Sequence, residues 1–310
     1  GEGCRPALGA RRRRAFGLGG PSALELGTKE QYVCARCGNY CSGSVWHDVE
    51  RRKDICLECE APGLHALVEI LAAPRVASSH ALACRHLCDA VTTPGLAREA
   101  LELGAADEVV QAMEAGLTDD VIQYMACQAL RALCVGIADD ADVALKLADS
   151  GAARMTLRAM REHPTSVNVQ EGGCRALRQL ALVDVNRREI LQGAGIAAIR
   201  SALRDHETSP KVQEAALSAL GNVVADGHAR HSINSELIAT VVRGMNRHAG
   251  VADVQSAGAI VLYNFVCTAD CLEEVVAEGG LEAVRRAVAA HEKVAAMEEA
   301  RSLLEGTRVR

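Results

Sequence analysis

Residues 169–180 have the sequence VQEGGCRALRQL, and residues 212–223 repeat the pattern as VQEAALSALGNV. The leucine near the end of each copy recurs along the chain at intervals of 43, 47, 43 and 42 residues. These leucines are Leu87, Leu130, Leu177, Leu220 and Leu262. A glutamine stands seven residues before four of them, at Gln123, Gln170, Gln213 and Gln255. Such spacing indicates an internal structural repeat of about 42 residues.

Each repeat is predicted to contain three helices. Val212 to Val224 carries apolar residues at three- and four-residue spacing, and Ser209-Pro210 before it is typical of a helix start. A short helix over 186–192 and a middle helix over 196–204 complete that unit. A small residue or cap precedes each middle helix, at Gly104, Gly151, Gly195, Asn234 and Gly280. Because one unit cannot cover its own apolar face, consecutive units must stack. We expect an all-α chain that forms a right-handed α-solenoid of about five to six repeats over residues 64–310.

These repeats resemble armadillo repeats, most clearly over residues 165–290. In armadillo proteins, an asparagine two positions after the repeated leucine lines a concave groove and hydrogen-bonds the backbone of an extended peptide. The resemblance implies that Gln179, Asn222 and Asn264 line such a groove. An amide side chain both donates and accepts, so it can also cap backbone groups between packed helices. Both roles stay open for the two asparagines.

Arginines accompany these amides in the predicted groove. Arg175 and Arg178 lie in the same helix as Gln179, and Arg131 lies one repeat earlier. They either add a basic strip to the middle of the groove or are ordinary solvated surface charges.

Four cysteines near the N terminus predict a zinc site. Cys34 and Cys37 form one Cys-x-x-Cys pair, Cys56 and Cys59 form a second, and 18 residues separate the pairs. That separation falls within the range of about 15–20 residues expected of a four-cysteine zinc site. A helix predicted after the second pair would favour its thiolates through the helix dipole. We therefore expect a treble-clef-like module over residues 30–63 with Zn²⁺ as a structural cofactor.

The exact ligand set and role of this module stay open. Cys41 and His47 lie between the pairs, and either could replace one cysteine as ligand. The pair spacing and Trp46 resemble GATA-type fingers, which continue with a basic tail, whereas Glu60, Glu69 and a run of apolar residues follow here. A nucleic-acid-binding role would place Arg11 to Arg14 and Arg51-Arg52-Lys53 on phosphates. The cysteine pattern also resembles Arf GTPase-activating domains. Those domains carry a catalytic arginine beside a histidine after the last pair, whereas His65-Ala66 stands there in this chain, which argues against that activity.

Composition narrows the classes of function. The chain has 310 residues and is 49% hydrophobic but only 2% aromatic, so its apolar residues suit close-packed helices and offer few rings for base stacking. The net charge of −6 argues against a whole-chain nucleic-acid binder. The longest apolar stretch, residues 259–267, is too short to span a membrane.

Cysteine usage and the N terminus bear on location. The thirteen cysteines are an odd number, which argues for a reducing compartment rather than a disulfide framework. We expect an intracellular protein, cytoplasmic or nuclear, or organellar if the N terminus is a processed targeting segment. Residues 1–29 are expected to be a flexible basic segment.

No phosphate-binding loop or nucleophile elbow occurs in the sequence, and no residue is assigned a catalytic role. The combined pattern predicts a non-catalytic interaction scaffold or assembly subunit that binds a segment of a protein partner. The alternatives are a zinc-finger nucleic-acid-binding protein and a GTPase-activating zinc-finger protein.

Overall fold

A computed structural model describes residues 24–33, 40–48, 53–56, 63–72, 77–136, 139–225, 227–269, 271–291 and 295–306. Side chains are described for these ranges from residue 63 onward, except for 77–79.

Three strands precede the helices, namely β1 (Leu24–Val33), β2 (Tyr40–Asp48) and β3 (Lys53–Cys56). They form one sheet in the order β1-β2-β3, and both neighbouring pairs are antiparallel. Val33 pairs with Tyr40, and Cys56 pairs with Val45. The outer strands therefore run in the same direction on either side of β2. The strands lie in the N-terminal part of the chain, before the α-solenoid, and β1 begins inside the segment 1–29 that was expected to be flexible.

Among the described residues, the helices start at Leu64. In chain order they are α1 (Leu64–Ala72), α2 (Ala77–Ala90), α3 (Pro94–Glu102), α4 (Ala105–Ala115), α5 (Asp120–Leu133), α6 (Ala141–Asp149), α7 (Ala152–Glu162), α8 (Val167–Leu180), α9 (Asp184–Gln192), α10 (Gly195–Asp205), α11 (Pro210–Val223), α12 (Ser235–Arg247), α13 (Ala252–Ala269), α14 (Leu272–Ala277), α15 (Gly280–Ala290) and α16 (Ala295–Gly306). None of these described helices is long and apolar enough to cross a membrane.

The helices pack in layers that follow the repeat. The third helices of successive units (α2, α5, α8, α11, α13 and α16) pack against one another in that order. The second helices of successive units also pack against one another and form a second row (α1, α4, α7, α10, α12 and α15). The first helices are α3, α6, α9 and α14. In one unit a 3₁₀ turn at Gly227–Ser232 replaces the first helix. The described residues thus contain six stacked units, the α-solenoid predicted from the repeat. At the N-terminal end, β2 lies against α2.

The repeated leucines form the centre of the core. All five have no solvent-exposed surface, and each lies on a third helix (α2, α5, α8, α11 or α13). Three of the helices also bury a cysteine three residues before the leucine, at Cys84, Cys127 and Cys174. The prediction that the leucines occupy equivalent places in successive layers is confirmed.

Four of the second helices follow a residue in the left-handed conformation. In two of these units that residue lies one position before the glycine that the sequence pattern predicted. The left-handed positions are Gly104 (φ 84°), Gly151 (φ 74°), Ala194 (φ 61°) and Gly279 (φ 82°). Gly195 and Gly280 are instead the first residues of α10 and α15. As expected, Asn234 caps α12, because its side chain accepts a hydrogen bond from the backbone N–H of Leu237 at 3.0 Å. Ala194 alone among these turn residues places a Cβ in a region that L-residues avoid.

Replacing Ala194 with glycine is expected to raise the free energy of unfolding by about 0.5–1 kcal/mol, because relief of the left-handed strain outweighs the added entropy of the unfolded chain. Urea denaturation followed by circular dichroism measures the change. The matched control is Ala197→Gly in the exposed interior of α10, which should lower stability by about 1 kcal/mol. Equal losses from both substitutions would contradict the prediction.

Candidate binding groove

The predicted groove residues lie on one surface of the solenoid. Arg175, Arg178 and Gln179 belong to α8, Asn222 to α11 and Asn264 to α13, all of them third helices. Each side chain is at least partly exposed. We call the exposed surface of the third helices the third-helix face.

The two asparagines bind the backbone of the preceding repeat. Asn222 Nδ2 donates to the carbonyl oxygen of Arg178 at 2.8 Å, and Asn264 Nδ2 donates to that of Gly221 at 2.9 Å. These bonds match the role of capping backbone groups between packed helices. Each bond uses one N–H, so the amide oxygen and the second N–H are not committed by it. The helix-to-helix bond orients the amide and leaves polar atoms on the third-helix face.

The arginines of α8 form an ion-pair network with two glutamates. Arg175 Nη1 lies 2.6 Å from Glu171 Oε1, and Arg175 Nη2 lies 3.6 Å from Glu214 Oε2. Arg178 Nη1 lies 3.8 Å from Glu214 Oε1, which also accepts a hydrogen bond from Ser218 Oγ at 3.2 Å. The middle of the face therefore carries arginines that are paired with glutamates.

The two signs of charge lie at different depths. The side chains of Glu171 and Glu214 are 9% and 22% exposed, whereas those of Arg175 and Arg178 are 36% and 47% exposed. On α5, Arg131 Nε donates to Gln128 Oε1 at 3.0 Å. The guanidinium groups are consequently more exposed to solvent than the carboxylates at the middle of the face.

The face becomes apolar at α13. Ile260 is 40% exposed and stands where α8 has Arg175 and α11 has Ser218. Tyr263 lies one turn further along α13, and a hydrogen bond with Cys267 is the main cause that raises the pKa of the Tyr263 phenol. The third-helix face thus combines a polar middle with an apolar patch formed by Ile260 and Tyr263.

Comparison with solved structures decides the fold. The designed armadillo repeat protein YIII(Dq)4CqI aligns with a TM-score of 0.65 at 17% identity, over 78% of this chain and 99% of that one. The chain has an armadillo-like fold. The designed armadillo repeat protein YIII(Dq.V1)4CPAF, in complex with peptide (KR)4, aligns with a TM-score of 0.65 at 16% identity, over 79% of this chain and 99% of that one.

A third similar structure is described as "A conserved phosphorylation switch controls the interaction between cadherin and beta-catenin in vitro and in vivo". It aligns with a TM-score of 0.63 at 18% identity, over 79% of this chain and 46% of that one. No protein-family model and no curated protein matches the sequence. At these identities the likeness establishes the fold of the armadillo-like array alone.

The periodic glutamines join the second and third helices of each armadillo-like unit. All four are buried, and each Nε2 donates to backbone carbonyl oxygens ten and seven residues earlier, at 2.7–3.3 Å. In the third unit these acceptors are Met160 and His163, bound by Gln170. Pro164 lacks the N–H that would otherwise serve the Met160 carbonyl in the helix. The glutamine column is therefore a structural device of the array rather than part of the binding surface.

A column of histidines that sequence reasoning missed joins neighbouring units. Each Nε2 donates to a backbone carbonyl oxygen of the preceding unit at 2.7–2.8 Å. The residues are His163, His206, His248 and His291. Three of them stand seven residues before a periodic glutamine, and this spacing was the signal that could have found them.

The cysteines of the array core are chemically protected thiols. Burial raises the pKa of Cys84, Cys127 and Cys134 from the ordinary value of 9.0 to about 12. The folded chain keeps these protons at a pH where the unfolded chain loses them. The resulting contribution to stability is complete below pH 9 and is lost as the pH rises from 9 towards 12.

We expect thiol-specific reagents at pH 8 to modify the exposed Cys267 at least 100-fold faster than Cys127 in the folded protein, because only a solvated thiolate reacts quickly. Mass spectrometry of the digested protein assigns each label to its peptide. Urea should remove the difference, and similar rates in the folded chain would contradict the burial of Cys127.

The side chains of the predicted zinc ligands lie outside the part of the chain that the structure describes. Cys34, Cys37 and Cys59 fall outside the described residues, and Cys56 ends β3 with only its backbone described. Within the part of the chain whose side chains are described, no cluster of three or more metal-ligating residues occurs. The zinc site stays a prediction from sequence.

Proposed function

We propose that this chain is a non-catalytic interaction scaffold whose third-helix face binds an extended segment of a partner protein. The observation that carries the proposal is the pair of amides on successive third helices, each oriented by a bond to the preceding unit. An extended peptide exposes one backbone N–H or C=O after another, and side-chain amides can bind these groups whatever the peptide sequence.

The fold supports this proposal. A designed protein of the same architecture is described in complex with the peptide (KR)4, and a further similar structure concerns the interaction of beta-catenin with cadherin. The third-helix face of this chain also offers polar side chains on α8 and α11 and the exposed Ile260 on α13.

Quantitative affinity purification with mass spectrometry tests the proposal. The full chain and the double variant Asn222→Ala/Asn264→Ala are compared as baits at equal folded concentration. We expect at least one protein captured by the wild-type chain to be depleted tenfold or more by the double variant. Asn246→Ala is the matched control, because Asn246 is an exposed residue of α12 in the second-helix row.

The outcome separates the groove from the rest of the surface. Loss with the double variant and retention with Asn246→Ala supports binding at the third-helix face. If the double variant retains every captured protein, the face is not the binding site.

We also propose that Cys34, Cys37, Cys56 and Cys59 hold one structural zinc ion at the N-terminal end of the array. The two outer strands of the sheet run in the same direction, Cys34 directly follows β1, and Cys56 ends β3. The described ends of β1 and β3 pair with Tyr40 and Val45, which are five residues apart along β2. The contact of β2 with α2 is consistent with a module that covers the first repeat.

Zinc content per chain, measured by elemental analysis, tests this assignment. The wild-type chain should carry about one zinc ion, and Cys34→Ser/Cys59→Ser should carry none. Cys267→Ser, which removes an exposed cysteine of α13, should leave the content unchanged. A zinc-free wild-type chain purified from zinc-supplemented cells would refute the site.

A further inference from the structure

We propose that the third-helix face selects an extended segment that carries an acidic side chain over α8 and an apolar side chain over α13, separated by about five or six residues. This inference rests on the proposed function and adds the chemistry of the partner. The acidic side chain is that of aspartate or glutamate.

The acidic side chain over α8 is inferred from the different solvent exposure of the glutamates and arginines on this face. Glu171 and Glu214 lie low, with 9% and 22% of their side chains exposed, and their oxygens face the arginines. Arg175 and Arg178 lie above them and are 36% and 47% exposed. A guanidinium has five N–H donors, and these ion pairs occupy only one or two on each arginine. The remaining donors are available to a carboxylate that approaches from solvent.

The buried glutamates also fix the arginine positions. Arg175 bridges Glu171 on its own helix and Glu214 on the next, and Arg178 reaches the same Glu214. A cation held in place loses less conformational entropy on binding than a free surface arginine. On α5, Arg131 contacts Gln128 and Cys88 and has no acidic partner among the described contacts, so outward guanidinium donors are present on α5 as well as on α8.

The apolar side chain over α13 is inferred from the apolar patch formed by Ile260 and Tyr263. Ile260 is 40% exposed at the position that holds charged or polar residues on α8 and α11, and Tyr263 lies three residues further along α13. An exposed isoleucine one helical turn from a tyrosine offers a site where an apolar side chain can be buried.

The repeat geometry sets the spacing. Neighbouring packed helices lie about 8–10 Å apart, so the two steps from α8 through α11 to α13 span about 16–20 Å. An extended chain advances about 3.3 Å per residue. The two anchor residues are thus about five or six residues apart, in either chain direction. Asn222 and Asn264 lie along the same path and can bind the intervening backbone.

A displayed library of random twelve-residue peptides, selected against the full chain, provides the probe. Enriched peptides are synthesised with a fluorescent label and measured by anisotropy at 0.05 M and 0.5 M salt. We expect enriched peptides to share an Asp or Glu and a large apolar residue at the stated spacing. Changing the peptide acid to its amide should weaken binding at least tenfold, and high salt should weaken the parent peptide more than the amide version.

Variants of the chain assign the contacts. Arg175→Gln/Arg178→Gln should weaken the parent peptide at least tenfold and should have little further effect on the amide peptide. Ile260→Ser should weaken peptides with the apolar anchor. Arg158→Gln, an exposed arginine of α7 in the second-helix row, is the control and should leave binding unchanged. The amide peptide keeps the test informative if the double variant folds poorly.

Two results overturn the inference in distinguishable ways. Peptides that need Asn222 and Asn264 but are basic, or keep their affinity without the acid, would leave the groove function standing and refute the acidic anchor. An absence of any enriched peptide that is sensitive to the two asparagines would refute both the anchor and the groove function.

Discussion

Replacing Leu177 with alanine is expected to lower the free energy of unfolding by about 3 kcal/mol, because the substitution removes buried methyl groups and leaves a cavity. Leu177 has no exposed surface, and its helix α8 packs between α5 and α11. A cavity there weakens two inter-unit interfaces as well as the unit itself, since stability in a stacked array is the sum of neighbouring contacts. Urea denaturation followed by circular dichroism gives the change.

Leu182→Ala is the matched control for this experiment. Leu182 follows the same helix but is 44% exposed, so its truncation should change stability by less than about 0.5 kcal/mol. Similar losses for the two leucines would contradict the assignment of Leu177 to the shared core column.

Replacing Gly195 with alanine is expected to cost about 2–3 kcal/mol, because the added methyl group overfills a packed turn. A Cβ at this position would lie 2.7 Å from the backbone oxygen of Ile190 and would also collide with its Cγ2. Gly280 stands in the same relation to Val275, with contacts of 2.7 Å to Cγ1 and 2.8 Å to the backbone oxygen. In both units the glycine stands five residues after a β-branched residue.

The other units show how the clash is avoided. Ala152 stands five residues after Leu147, which has no branch at Cβ, and Ala105 stands five residues after Ala100. The double variant Gly195→Ala/Ile190→Leu should therefore recover at least about 1 kcal/mol relative to the sum of the single changes. Thermal and urea denaturation of the wild-type chain, the two single variants and the double variant gives the interaction energy between the two substitutions. Strict additivity would show that the Ile190 side chain is not the obstacle.

The resemblance to armadillo repeats singled out Asn222 and Asn264, but it did not indicate their contacts. Both stand two residues after a repeated leucine, the position that the resemblance associates with the groove. Their bonds to Arg178 and Gly221 join residues more than forty positions apart, and no local pattern encodes such a pair. The pairing of Arg175 with Glu214 escaped prediction for the same reason.

The turns before the second helices also show what a local sequence pattern cannot predict, namely which residue takes the left-handed conformation. Sequence placed Gly195 and Gly280 in one column with Gly104 and Gly151, whereas the left-handed residue of the fourth unit is Ala194. Two adjacent small residues are equivalent by composition. Only the packing of α9 against α10 decides which of them takes the positive φ.

The sequence by itself determined the period, the helical content and the buried column, because a hydrophobic repeat must cover its apolar face by stacking on its neighbours. The tertiary structure alone decided which polar atoms meet across units: the histidine and glutamine bonds to distant carbonyls, and the deep carboxylates beneath exposed arginines. Those contacts depend on the offset between neighbouring helices, a three-dimensional quantity that the order of residues does not express locally. That offset also gives the third-helix face the charge depth on which partner selection is proposed to depend.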